Sequence, residues 1–277
     1  MLRIDAHQHF WNYTPEEFGW IDSSMDVLRR DYLPEHLRLE IERSGVSGMV
    51  AVQARESLEE SRWLLELATT HSFISAVVGW VPLTDPDVAD VIGRLLTLGP
   101  LRGLRHVLQG EADDRYMLRE DFNRGVSALR RFDLAYDILI LERHLPYAIE
   151  LVDRHPDQVF IVDHIAKPRI RDGVISPWRE QIRELALRPN VYCKLSGMVT
   201  EANWNTWTEE QLGPYFDVVL NAFGPHRVMF GSDWPVCLLA TSYGAWFEIV
   251  SKWIAPLTEG ERNAILGGTA TRAYRIS

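Results

Sequence analysis

Cysteine is scarce in this chain: there are two, Cys193 and Cys237, among 277 residues. Two thiols do not make the disulfide framework of a small secreted domain, and they read as buried thiols in a reducing compartment. Positive charge is outnumbered, with 29 Lys and Arg against 39 Asp and Glu, a formal net charge of -10. That balance argues against a nucleic-acid-binding surface and favours solubility. No apolar run reaches membrane-spanning length, so no membrane role is expected. The first residues lack a basic segment followed by an apolar stretch, so no secretory signal is expected and the cytoplasm is the expected compartment. Gly/Ser linkers, low-complexity tracts and charge blocks are also missing, so residues 1–277 read as one domain.

What is present is a globular composition, 46% hydrophobic and 25% charged. Short apolar runs alternate with helix-periodic segments about eight times. The expected strands begin at Ile4 and then cover Gly48–Ala54, Ile74–Val81, Leu101–Leu108, Leu134–Leu141, Val159–His164, Val191–Ser196 and Arg227–Asp233. Between them lie helical stripes such as Val88, Val91, Ile92 and Leu95, and capping-box spacings at Ser57/Glu60 and Thr258/Glu261. Strand–helix alternation with continuous apolar strands means a parallel sheet covered by helices. Eight units in this length predict an α/β fold of the (β/α)8 TIM-barrel type. A doubly wound open sheet is the runner-up, but it normally carries a Gly-rich turn after an early strand. Here the first strand runs into His7-Gln8-His9-Phe10-Trp11 instead. The long connection from Phe10 to Tyr32, rich in aromatics, reads as a lid or binding loop, with a flap that merely covers the barrel end as the alternative.

In such a barrel the reactive groups sit at the C-terminal ends of the strands. The expected strand ends carry His7 and His9, Gln53 and Arg55, Trp80, Arg105-His106, Asp137, Asp163-His164, Lys194 and Ser196, and Gly231-Ser232-Asp233-Trp234. Loop solvation explains one or two such residues, but it explains a ring of them poorly. Alternation places His7 and His9 on one face, and turns Cys193 away from Lys194 toward the helices. A buried Asp233 carboxylate needs a partner, and His7, His9, His164 or a metal ion are the candidates.

The segments Asp5-Ala6-His7-Gln8-His9-Phe10-Trp11, Asp163-His164-Ile165-Ala166-Lys167-Pro168, Lys194-Leu195-Ser196-Gly197, Phe230-Gly231-Ser232-Asp233-Trp234-Pro235-Val236 and Leu266-Gly267-Gly268-Thr269-Ala270 carry a resemblance. Together they resemble the amidohydrolase superfamily, and more narrowly its branch of sugar lactonases and related muconolactone hydrolases. The resemblance implies a hydrolase acting on a lactone, with His7, His9 and Asp233 as ligands of one divalent metal, zinc for preference. Part of this branch works without metal. It also implies Asp233 and His164 as the catalytic pair, with Asp233 managing the protons. No carboxylated-lysine bridge with a second downstream histidine is visible, which favours one metal over two. Trp11, Arg55, Trp80, Arg105, His106, Lys194 and Trp234 are the expected substrate contacts, with Lys167 and Trp204 further candidates. An aldonolactone such as L-fuconolactone is the expected substrate. The alternatives are a carboxylated lactone of aromatic degradation, a metal-dependent aromatic decarboxylase and a non-catalytic barrel.

Overall fold

The computed structural model describes residues 2–277. Eight strands form one parallel sheet in sequence order: β1 Ile4–Gln8, β2 Gly48–Val52, β3 Ile74–Gly79, β4 Leu101–His106, β5 Ala135–Ile138, β6 Phe160–Val162, β7 Val191–Leu195 and β8 Val228–Phe230. A parallel bridge between Gln8 and Trp234, with the amide of Asp233 donating to the His7 carbonyl at 2.8 Å, joins the last strand to the first. The expected (β/α)8 barrel is the observed architecture. The main outer helices are α1 Pro34–Ser44, α2 Leu58–Thr70, α3 Val88–Leu96, α4 Glu120–Leu129, α5 Leu145–Arg154, α6 Trp178–Ala186, α7 Glu209–Phe223 and α8 Tyr243–Ile254. Two short helices, α9 Glu259–Asn263 and α10 Thr269–Ala273, finish the chain. Ser57 caps α2 through the Glu60 amide, and Thr258 and Glu261 form a reciprocal box on α9, as the spacings predicted. Gly45, in the left-handed region at φ 64°, ends α1.

The core has two layers. Residues on the outer side of the strands, such as Met49, Leu104, Tyr136, Cys193 and Phe230, pack beneath the helices. A smaller cluster fills the barrel, built from Ile4, Ala6, Val50, Val78, Ile161 and Met229. Ala270, Ala273, Tyr274 and Ile276 join that inner cluster, so the C-terminal segment plugs the barrel from below. Gly267 packs there against the start of β1: a Cβ on it would lie 2.2 Å from the Leu2 carbonyl.

Most strands are shorter than the apolar runs that encode them. β6 stops at Val162, and β8 at Phe230. Beyond β6, His164, Ile165, Ala166 and Lys167 all have positive φ, between 46° and 60°, and Asp233 stands at φ 57° beyond β8. These are strained conformations for residues with a Cβ, above all for the β-branched Ile165, and such strain gathers where side chains must be aimed. β1 has its own irregularity. Its register against β2 shifts between Asp5 and Gln8. Ile4 and Ala6 lie in the inner cluster, yet His7 also turns inward, to Asp163 and Lys194. Strict alternation forbids Ala6 and His7 on one face; the register shift re-aims the strand end, as bulges at barrel rims do.

Candidate active site

Four side chains converge at the rim. The Nε2 atoms of His9, His7 and His164 lie 3.5, 3.8 and 3.9 Å from Oδ1 of Asp233. His7 and His9 face each other, Nε2 to Nε2, at 3.1 Å. All four residues are buried. Each imidazole is set by a second partner on its other nitrogen. His9 Nδ1 donates to the Val52 carbonyl at 2.8 Å, and His164 Nδ1 hydrogen-bonds with Ser196 Oγ at 2.9 Å. His7 Nδ1 lies 3.3 Å from Asp163 Oδ1 and 3.0 Å from Lys194 Nζ. Such outer partners fix ring orientation and tautomer.

Small residues make the convergence possible. A Cβ on Gly231 would lie 2.9 Å from His7 Cβ and 3.1 Å from Ser196 Cβ. Gly197, at φ 66°, passes so close to His164 that a Cβ would lie 2.7 Å from the ring. Asp5, also buried, ties the two ends of the barrel seam: it accepts from the amides of His7 at 3.1 Å and Ser232 at 2.8 Å. Burial pushes its carboxyl up to about 6.

Burial lowers the basicity of all three imidazoles. For His164 it brings the pKa to about 4; for His9 it lowers it; for His7, burial and then Lys194 hold it well below the usual imidazole value. Burial opposes ionisation of Asp233, but the surrounding imidazoles, His164 first, outweigh it and hold the carboxyl well below its usual range. At neutral pH the cluster is therefore three neutral imidazoles around one carboxylate.

That donor set fits a divalent ion. Neutral imidazole nitrogen and carboxylate oxygen are the ligands zinc takes, at about 2.0–2.2 Å each, which spaces ligand atoms roughly 3.4 Å apart. The observed separations bracket that value, and His7, His164 and Asp233 offer ligand atoms all within 4.8 Å of one another. With the Nδ1 of His9 spent on a carbonyl, its Nε2 lone pair points at His7, an arrangement that a shared cation or proton relieves.

Beneath the cluster lies a buried charge network. Lys194 Nζ reaches Asp137 Oδ2 at 2.5 Å and Asp163 Oδ1 at 2.9 Å. Arg105 Nη1 donates to Asp163 Oδ2 at 2.9 Å, and its Nη2 donates to the Gln53 carbonyl. The Tyr274 hydroxyl rises from the C-terminal plug and donates to Asp137 Oδ2 at 2.7 Å. Burial opposes ionisation of Asp163, but Lys194, His7 and Arg105 outweigh it and hold the carboxyl well below its usual range. Burial pushes Asp137 up to about 6, with Lys194 opposing.

Above the cluster opens a cavity of about 450 Å³. His9, His164, Asp233 and Arg105 line its base. Lys167, Thr200, Glu201 and Trp204 form one wall, and Leu139, Val107, Val236 and Leu239 contribute apolar surface. Trp20 and Met25 reach it from the aromatic flap. The flap is anchored by the Trp11–Tyr32 bridge, the buried Phe18 and an Arg55–Glu17 ion pair at 2.5 Å.

Of the expected substrate contacts, Arg105 lines this cavity, as do the further candidates Lys167 and Trp204. The other six do not. Trp11 is buried under the flap, its Nε1 donating to the Arg30 carbonyl. Arg55 is turned to Glu17 and the ring of Phe18. Trp80 donates toward His106 Nδ1 at 3.3 Å, and His106 sits between Glu56 and Glu111 at 3.1 and 2.6 Å. Lys194 is wholly buried below the imidazoles, and Trp234 packs on Phe10 and Tyr32. A strand end gives a residue's height in the barrel but not the direction of its side chain once the strand has ended. Glu201 and Thr200 escaped the sequence reading, although they follow the Lys194-Leu195-Ser196-Gly197 segment closely enough for the rim rule to reach them.

This (β/α)8 barrel thus carries His7 and His9 at the end of its first strand, His164 after its sixth and Asp233 after its eighth. The chain belongs to the amidohydrolase family whose model matches residues 4–276. It is 43% identical over 286 aligned positions to an L-fucono-1,5-lactonase of Burkholderia multivorans, covering 99% of this chain and 96% of that one. It is 38% identical to an L-fucono-1,5-lactonase of Burkholderia ambifaria, again over 99% and 96%. A crystal structure of a Burkholderia multivorans amidohydrolase with bound zinc superposes with a TM-score of 0.97 at 43% identity, over the full length of both chains.

Proposed function

We propose that this protein hydrolyses a sugar lactone, of the L-fucono-1,5-lactone type, to its aldonic acid. The observation that carries the reading is the Asp233 carboxylate with the Nε2 atoms of three imidazoles within 3.9 Å of its Oδ1, at the floor of a cavity of about 450 Å³. The likeness to two L-fucono-1,5-lactonases over nearly the whole chain supports the substrate class. His7, His9 and Asp233 would hold one divalent ion, zinc for preference, with His164 beside them. Such an ion would polarise the lactone carbonyl and lower the pKa of water from about 15.7 toward 7.

The chain's own residues do the rest. Asp233 is ionised and can accept a proton from the attacking water. It can then return that proton to the ring oxygen as the ester bond breaks, so the alkoxide leaves as a hydroxyl. Such acid–base help is worth roughly 10² to 10⁴ in rate. His164 and Arg105 face the same floor and can donate to the carbonyl oxygen as charge builds on it. Trp204 offers a flat apolar face to the sugar ring, and Lys167, Thr200 and Glu201 offer polar groups to its hydroxyls.

The test is acid release from a panel of aldonolactones, run beside elemental analysis of the purified protein. Asp233→Asn should lower turnover at least 100-fold with its thermal melt and far-UV spectrum preserved. Near-normal activity in that variant, or no hydrolysis of any aldonolactone by the wild type, refutes the assignment.

A further inference from the structure

Two cations line the cavity, and both have acidic partners. Arg105 is committed at its base to Asp163 at 2.9 Å and to the Gln53 carbonyl. Lys167 Nζ stands 3.9 Å from Glu201 Oε1, and both side chains keep part of their surface open, 19% and 25%. Among the described residues, no cation lining this cavity lacks a carboxylate beside it. On this wall a ligand carrying a carboxylate would therefore meet a lysine already paired with Glu201.

The Lys167–Glu201 pair is held from both backbones. Lys167 closes the run of left-handed residues that begins at His164, and its amide donates to the His164 carbonyl at 2.8 Å. Glu201 follows Gly197 in the loop after β7; its carbonyl accepts from the Arg171 amide at 3.0 Å and its amide donates to the Gly197 carbonyl at 3.3 Å. The separation of 3.9 Å leaves each head group with unused hydrogen-bonding capacity that vicinal hydroxyls can take up.

We propose that Glu201 is a specificity-determining residue: paired with Lys167, it cancels the cation that would draw in a carboxylate and so restricts the cavity to uncharged, polyhydroxylated lactones. The proposal rests on the lactonase reading above and sharpens its substrate class. It works by exclusion as much as by attraction, the usual way a site separates two ligands of the same shape.

The test compares L-galactono-1,4-lactone with galactaro-1,4-lactone, which differ in a terminal CH2OH against a carboxylate. Wild type should favour the first in kcat/KM. Glu201→Gln keeps the shape and removes the charge; it should shift the kcat/KM ratio toward the carboxylated lactone at least tenfold, chiefly through KM. In Lys167→Met/Glu201→Gln that gain should vanish, which a merely structural role for Glu201 would not produce. An unchanged ratio in Glu201→Gln, or a gain that persists in the double variant, overturns the proposal. If the wild type hydrolyses neither lactone, the lactonase reading is decided separately on the aldonolactone panel. The intact lactones then serve as ligands in calorimetry, with the same shift expected in relative Kd and the same two results overturning it. Thermal melts of each variant confirm that folded protein is compared.

Discussion

Replacing Lys194 by methionine separates two roles that one residue could play. The ammonium is wholly buried and lies 2.5 Å from Asp137, 2.9 Å from Asp163 and 3.0 Å from His7 Nδ1, with the ring of Tyr274 5.5 Å away. Methionine fills similar volume but leaves two buried carboxylates without their shared cation. Breaking a buried pair from one side costs about 3–5 kcal/mol, because the remaining charge has no solvent. For a chain of this size that is a fall in Tm of roughly 6–20 °C. Turnover should fall as well, since His7 loses the group that fixes its ring, whereas KM should move little. A second substitution should recover part of the loss. Asp137→Asn on the Lys194→Met background removes one stranded carboxylate, so the double-variant cycle should show a coupling of about 1–3 kcal/mol. Melting curves by differential scanning calorimetry, with kcat and KM on the best aldonolactone, read all three quantities. A Tm within about 2 °C of wild type together with a severalfold rise in KM would refute the reasoning, for that is the signature of a substrate contact.

Other substitutions follow from the same geometry. Glu60 is buried against the end of β2, accepting the amides of Ala54 and Arg55 at 3.1 and 2.7 Å, and burial pushes its carboxyl from 4.5 up to about 7. Its ionised form is therefore disfavoured in the fold: the contribution is full below pH 4.5 and is lost as pH rises through about 7. Glu60→Gln, which cannot ionise, should gain about 3 kcal/mol relative to wild type between pH 4.5 and 8; urea unfolding at both ends measures it, and a pH-independent difference would contradict it. Gly231→Ala should lose about 1–3 kcal/mol and most turnover, because its Cβ would meet His7 and Ser196 at 2.9 and 3.1 Å. Trp204→Ala should raise KM about tenfold, or 1.4 kcal/mol, with Tm near that of wild type. Trp11→Ala should instead cost about 3–5 kcal/mol of stability, since Trp11 is core beneath the flap; the reverse pattern would exchange their roles.

The sequence by itself determined the barrel and the height of its chemistry. Eight apolar runs at helical intervals leave a parallel closed sheet as the economical arrangement, and hydrophobic periodicity is a local signal that needs no contacts to be read. His7, His9, His164 and Asp233 were legible because they end strands one, six and eight, which a barrel carries to one rim. Side-chain direction was decided only in three dimensions. The register shift in β1 turns His7 inward, and the left-handed residues after β6 swing Lys167 to the cavity wall beside Glu201. Lys194 and Arg105 both sit on inward-facing positions, yet packing sinks one beneath the imidazoles and leaves the other at the cavity base. Tyr274, at the far end of the chain, reaches Asp137 because α10 closes the barrel from below, a contact across 137 residues. Periodicity records which face of an element is apolar. Where a backbone leaves its ideal conformation, and which distant charges then meet, is fixed by the packing of the whole chain.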